Sequence, residues 1–172
     1  MPDDSVVDSG ASIDNRHLLL VGAGLGLGMA VARRFADGGY RETLVARSTD
    51  GLGHLADGLA DTGAQIDTIA ADASDPEGLG ARLAELYNAQ GAPGLIIYNA
   101  VMGAPDNLLS SSVEHLQSAY AVDVISAIVV TQVAAPAMRA AGSGTIPSPS
   151  VGAEPGVRAS AATGSASEGS AN

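Results

Sequence analysis

His17-Leu18-Leu19-Leu20-Val21-Gly22-Ala23-Gly24-Leu25-Gly26-Leu27-Gly28 is an apolar strand that runs directly into alternating glycines. A helical pattern follows at once. Met29, Ala32, Phe35 and Ala36 share one face, and Arg33 and Arg34 point away from it. Strand, glycine turn and helix in this order form the phosphate-binding entrance of a dinucleotide-binding α/β unit. The first glycine permits the sharp turn out of the strand. The later ones let backbone amides approach a pyrophosphate and let the helix sit close to the sheet. Gly22, Gly24, Gly26, Leu27 and Gly28 are therefore the first predicted binding residues.

Outward from this stretch, strands and helices alternate. Gly38-Gly39 ends the first helix, and Thr43–Ala46 reads as strand two. A helix around Leu52–Leu59 is closed by Asp61-Thr62-Gly63, and Ile66–Ala71 reads as strand three. Asp75 and Pro76 supply a cap and first turn for a helix near 77–89, and Gly94–Tyr98 reads as strand four. Ser110-Ser111-Ser112 offers caps for a long helical region from Val113 to about Ala141. Its second half is apolar nearly all round, which fits packing on the sheet and equally an outer face that meets a second subunit. Gly144-Thr145-Ile146 begins a fifth strand, from which Pro147 and Pro149 remove donors. The expected architecture is a three-layer, doubly wound α/β fold of Rossmann type. It has a parallel sheet in the order 3-2-1-4-5 and helices on both faces.

The ends of the chain differ from its middle. Residues 1–15 are acidic and polar, without the basic start and apolar stretch of a signal peptide, and read as a disordered leader. Residues 147–172 are rich in Gly, Ser, Ala and Pro and nearly free of large apolar side chains. Such a tail buries too little surface to offset its ordering entropy. That leaves 16–146 as the dinucleotide-binding domain.

Composition narrows the function classes. There is no Cys, so disulfides, a cysteine nucleophile and thiolate metal sites are excluded, which fits a cytoplasmic protein. A net charge of −11 repels nucleic acid and anionic membranes, so a phosphate ligand must be held by local donors. No apolar run approaches the length of a membrane span. His17, His54 and His115 lack metal-ligand spacing and are expected to be solvated or capping residues, so no metal site is predicted.

Arg47 carries the second signal. It lies about twenty residues beyond the glycine turn, where an acidic residue would hold a ribose 2′-hydroxyl. Arg followed by Ser48 instead suits a 2′-phosphate, through a bidentate, charge-assisted contact.

Four signatures now stand in order: Gly22-x-x-x-Gly26-x-Gly28, Arg47-Ser48, Ala71-Asp72-Ala73 and Tyr98-Asn99-Ala100. With them, residues 16–146 resemble a short-chain dehydrogenase/reductase. The resemblance implies NADP as cofactor and hydride exchange between its nicotinamide and a small carbonyl compound or alcohol. It implies that Asp72, with Ala73, touches the adenine. It adds Asn99 and Ala100, the surviving half of a motif usually written Asn-Asn-Ala-Gly, to the cofactor site.

The catalytic half departs from the family. The family's Asn in the long helix is replaced by Asp123, an acceptor that does not donate when ionised. Ser150 lies one place short of the expected serine. No Tyr follows Tyr120, and all eight basic residues are Arg, so the family's Tyr-x-x-x-Lys pair is missing. Asp123 and Ser150 are the remaining candidate catalytic residues. A tyrosine without a nearby cation is a poor acid-base group at neutral pH, so Tyr98 and Tyr120 are weak substitutes for the acid. Three readings follow: an impaired NADP-dependent reductase, a non-catalytic module that binds a dinucleotide or dimerises, or a truncated or frame-shifted product. The expected partners are a dinucleotide, a small carbonyl substrate and a second copy through 113–141, with neither nucleic acid nor membrane.

Overall fold

The computed structural model describes residues 13–103 and 108–147. Most of the expected leader, the tail from residue 148 and the candidate Ser150 lie outside the described residues.

Four parallel strands form one sheet in the order β3-β2-β1-β4. They are β1 (Ile13–Val21), β2 (Arg41–Ala46), β3 (Ile66–Ala70) and β4 (Ala92–Tyr98). Helices α1 (Leu27–Ala36) and α2 (Thr49–Leu59) alternate with them, as does α3 (Pro76–Gln90). The long helical region divides into α4 (Val113–Tyr120), a π-helical turn (Ala121–Ile125) and α5 (Ser126–Ala141). Asp75 caps α3 as its spacing predicts, accepting the Gly78 N–H at 3.0 Å.

Both faces of β1 are covered, which is why Leu18–Val21 is uninterruptedly apolar. Leu18 and Leu20 pack against Ala32 of α1 and Leu52, Leu55 and Leu59 of α2. Leu19 and Val21 pack on the other side with Leu79 and Leu83 of α3 and Val130, Ala134 and Met138 of α5. The sheet is thus the middle of three layers.

Two expectations about the strands are corrected. The fifth strand is reduced to a single parallel bridge between Leu95 and Thr145, held by Ile96 N–H to Thr145 O at 2.9 Å and Thr145 N–H to Gly94 O at 3.0 Å. Pro147 offers only its carbonyl to Tyr98 N–H, so it cannot donate to a growing ladder. The leader gives up residues 13–15 to β1, where Ile13 pairs with Ala92. Val113–Ala141 is 29 residues of helix whose most apolar window has a mean hydropathy of 1.7, long and apolar enough by length and composition alone to cross a membrane. Gln, Ser, Asp and Thr interrupt its apolar run, and Val130, Ala134 and Met138 pack it into the core beside the sheet.

His17 is buried rather than solvated. Its Nε2 lies 2.8 Å from Thr43 Oγ1, and its Nδ1 lies 2.9 Å from Arg41 Nη2. Arg41 can only donate, so Nδ1 accepts and Nε2–H donates to Thr43. Burial, reinforced by the Arg41 charge, lowers the imidazole pKa to about 4 and keeps it neutral.

Glu42 is fully buried, and neither carboxyl oxygen has a hydrogen-bond partner among the described residues. Burial pushes its pKa from 4.5 up to about 7, against a smaller opposing pull from the Ala36 backbone. The folded chain therefore holds this proton more tightly than the unfolded one. Stability should fall as pH rises from about 4.5 to about 7 and then level off, as far as this group is concerned. Glu42→Gln is expected to stabilise the chain by roughly 2–3 kcal/mol at pH 8 and to have little effect at pH 4. Urea denaturation at the two pH values checks this, and equal shifts at both would refute it.

Candidate functional site

The C-terminal ends of the four strands open onto a groove of about 560 Å³, a size suited to a ligand rather than to a few waters. The loop after β1 forms its floor. Gly22 there has φ +87°, and a Cβ on it would overlap the Ala100 backbone. The loop after β4 is tied to that turn: Asn99 Nδ2 donates to Gly22 O at 3.0 Å, and Asn99 N–H donates to Val21 O at 2.7 Å. Gly24 lines the groove, with nothing within 4 Å of where its Cβ would stand. Gly26 is the N-cap of α1 and offers no side chain to its amides.

The predicted binding residues separate into two groups. Gly22, Gly24, Arg47, Ser48, Asp72, Ala73, Asn99 and Ala100 line the groove together. Gly26, Leu27 and Gly28 do not. Leu27 is 61% exposed, and Gly28 is buried, where a Cβ would press on the Ala23 backbone at 3.1 Å. Gly28 thus serves the close seat of α1 on the turn.

Arg47 is exposed on the rim at the end of β2 and makes no hydrogen bond or ion pair among the described residues. Ser48 accepts the Gly51 N–H at 3.1 Å and so also caps α2. Asp72 accepts the Ser74 N–H at 2.8 Å. That bond, with help from the Ser74 hydroxyl and the Arg47 charge, holds its carboxyl below the usual carboxylate range. Arg47 and Asp72 therefore share one end of the groove.

The other end was not legible in the sequence. Val101, Met102, Gly103 and Val122 line it. The π-helical turn supports it at two points, through Asp123 and Val122, and Ser126 at the start of α5 ties the helix to the loop after β3. Met102 N–H donates to Asp123 Oδ1 at 2.9 Å, Ser126 Oγ donates to Ala73 O at 2.7 Å, and the Tyr98 hydroxyl donates to Val122 O. Asp123 is thus brought to the site, bound to the loop after β4. Tyr98 is buried, and burial followed by the Asp123 charge pushes its hydroxyl up to about 12. It belongs to the buried core beneath the site and does not line the groove. No cluster of three His, Asp or Glu that could hold a metal ion occurs among the described residues.

A glycine turn under four parallel strands, with a free arginine at the end of the second, is a nucleotide-binding arrangement, and the relatives agree. The short chain dehydrogenase profile matches residues 16–165. An uncharacterized oxidoreductase of Mycobacterium tuberculosis is 30% identical over 126 residues, which is 73% of this chain and 48% of that protein. A ketoacyl reductase of Nostoc is 26% identical over 135 residues, 78% of this chain and 47% of the relative. The chain spans about half the length of these curated relatives. Among solved structures, L-sorbose reductase from Gluconobacter frateurii, complexed with NADPH and L-sorbose, superposes with a TM-score of 0.72 at 28% identity. The match covers 80% of this chain and 53% of that one. A metagenomic short-chain oxidoreductase in complex with NADP superposes with a TM-score of 0.74 at 25% identity, over 79% and 62% of the two chains. With a family match across most of its length and the fold to go with it, the chain belongs to the short chain dehydrogenase family.

Proposed function

We propose that the groove binds NADP and that the chain carries the nucleotide-holding part of an oxidoreductase acting between a nicotinamide and a small carbonyl compound or alcohol. The observation that carries this reading is Arg47, unpaired on the groove rim where an acidic residue would be expected for a bare ribose. Arg47 and Ser48 would hold the 2′-phosphate, the Gly22–Gly28 turn the pyrophosphate, and Asp72 with Ala73 the adenine side. Two NADP(H)-bound relatives of known structure support the choice of cofactor. A cysteine-free composition suits the cytosol as its location.

When bound, the cofactor supplies hydride, and the alkoxide that forms on the carbonyl needs a positioned donor. This chain has no Lys and no Tyr beyond Tyr120. The Tyr98 hydroxyl is spent on Val122, and ionised Asp123 can only accept. General acid catalysis and oxyanion stabilisation each contribute on the order of a hundredfold or more. These residues therefore favour binding without appreciable turnover. Calorimetry on the purified chain should show NADPH binding more tightly than NADH. NADPH oxidation against ketones, aldehydes and quinones should stay at background. Equal affinities would refute the 2′-phosphate assignment, and turnover abolished by Tyr120→Phe would reveal a substitute acid.

A second copy is the partner that the long helical region fits. Val113, Leu116, Tyr120, Val124 and Ile128 lie along it at helical spacing and are 64%, 46%, 59%, 36% and 51% exposed. Burying that stripe in a symmetric pair would double the mass seen by light scattering in the same preparation.

A further inference from the structure

The groove crosses the sheet from the β2 and β3 loops to the β4 loop, with the glycine turn of β1 between them. Arg47 and Asp72 stand on the first side. A dinucleotide whose 2′-phosphate meets Arg47 must therefore place its nicotinamide half on the β4 side. This placement rests on the NADP reading above. The groove residues there, Asn99 to Gly103 and Val122, are all uncharged. Beside them stands Asp123, the one carboxylate at this end among the described residues, exposed and held by the Met102 N–H at 2.9 Å. Its charge is felt at this end: it adds to the burial that raises the Tyr98 hydroxyl.

We propose that Asp123 sets the redox preference of the site, favouring the oxidised cofactor over the reduced one. The two forms differ by a positive charge on the nicotinamide ring and are otherwise alike. A fixed negative charge on that side attracts one ring and not the other. An asparagine at this position keeps an oxygen for the Met102 N–H and loses only the charge. Charge and positioning are therefore separable in this chain.

Calorimetric titration of the full chain with NADP+ and with NADPH tests this. Asp123→Asn should weaken NADP+ binding about fivefold and leave NADPH binding nearly unchanged, an effect of the size expected for a partly solvated charge. Asp123→Ala should shift the ratio equally and also weaken both forms, because the Met102 N–H loses its acceptor. An unaltered NADP+/NADPH ratio in Asp123→Asn, with both forms still binding, overturns the proposal. A wild-type chain that binds neither form overturns the NADP reading, and the proposal with it. If Asp123→Asn does not fold, salt gives a second test on the wild type. The NADP+ preference should shrink at high ionic strength, while the Arg47 contact, common to both forms, cancels in the ratio. A ratio insensitive to salt overturns the proposal.

Discussion

Arg47→Asp is expected to lower the affinity for NADPH by about a hundredfold and to leave NADH bound as well as before or better. Arg47 stands exposed at the end of β2 with no competing ion pair among the described residues, so its fork is free for a doubly charged phosphate. Losing such a contact costs roughly 2–3 kcal/mol, and placing a carboxylate there adds repulsion. The same carboxylate can accept from a 2′-hydroxyl, which is the contact NADH offers. Calorimetry with the two cofactors gives the comparison directly. The assignment fails if the substitution weakens NADPH and NADH equally, because Arg47 would then act on the shared pyrophosphate. The Arg47 charge also helps to hold Asp72 ionised, so NADPH affinity should be compared at pH 7, well above the carboxylate range.

The largest effect on stability is expected from Gly22→Ala. Gly22 holds φ +87°, a conformation an alanine adopts only at a cost of about 1–2 kcal/mol. Its new methyl would also meet the Ala100 backbone. That backbone cannot withdraw freely, since Asn99 ties the loop to Val21 and Gly22 through two hydrogen bonds. Strain and overlap together should destabilise the chain by roughly 3–5 kcal/mol. Gly24→Ala, where the space is open, should leave folding nearly intact. Urea midpoints for the two variants make the contrast. A Gly22→Ala chain as stable as the wild type would mean that the turn can open away from β4.

The parts legible in the sequence are those whose cause is local. Leu18–Val21 followed by glycines declares a buried strand and its turn. Asp75-Pro76 declares a helix start, and Arg47-Ser48 takes its meaning from its distance to that turn. What escaped depends on distant partners. Ile13, Asp14 and Asn15 read as part of a leader, yet β1 begins at Ile13 because Ala92 and Pro93 pair with Ile13 and Asp14. The close approach of Gly94 to the Asn15 backbone admits that irregular pairing. The fifth strand shows how little Gly144-Thr145-Ile146 determines alone when a proline follows. The π-helical turn has no signature at all: Ala121–Ile125 reads as ordinary helix, and only the bonds from Tyr98 and Met102, with Ser126 beside it reaching Ala73, show where it sits. Val122, and the support that Asp123 gives to Met102, were hidden for that reason.

The buried histidine bears on how the strands find their alignment. A strand that is leucine on both faces fits its neighbours almost as well after sliding by two residues, because apolar packing alone does not distinguish the two positions. In β1 that ambiguity spans Leu18–Leu20. His17 removes it. In the observed pairing His17 stands opposite Arg41 and bonds both to it and to Thr43. Any slip would leave a buried imidazole without its two partners. The leucines supply cohesion without choosing a register, and one neutral histidine supplies the choice.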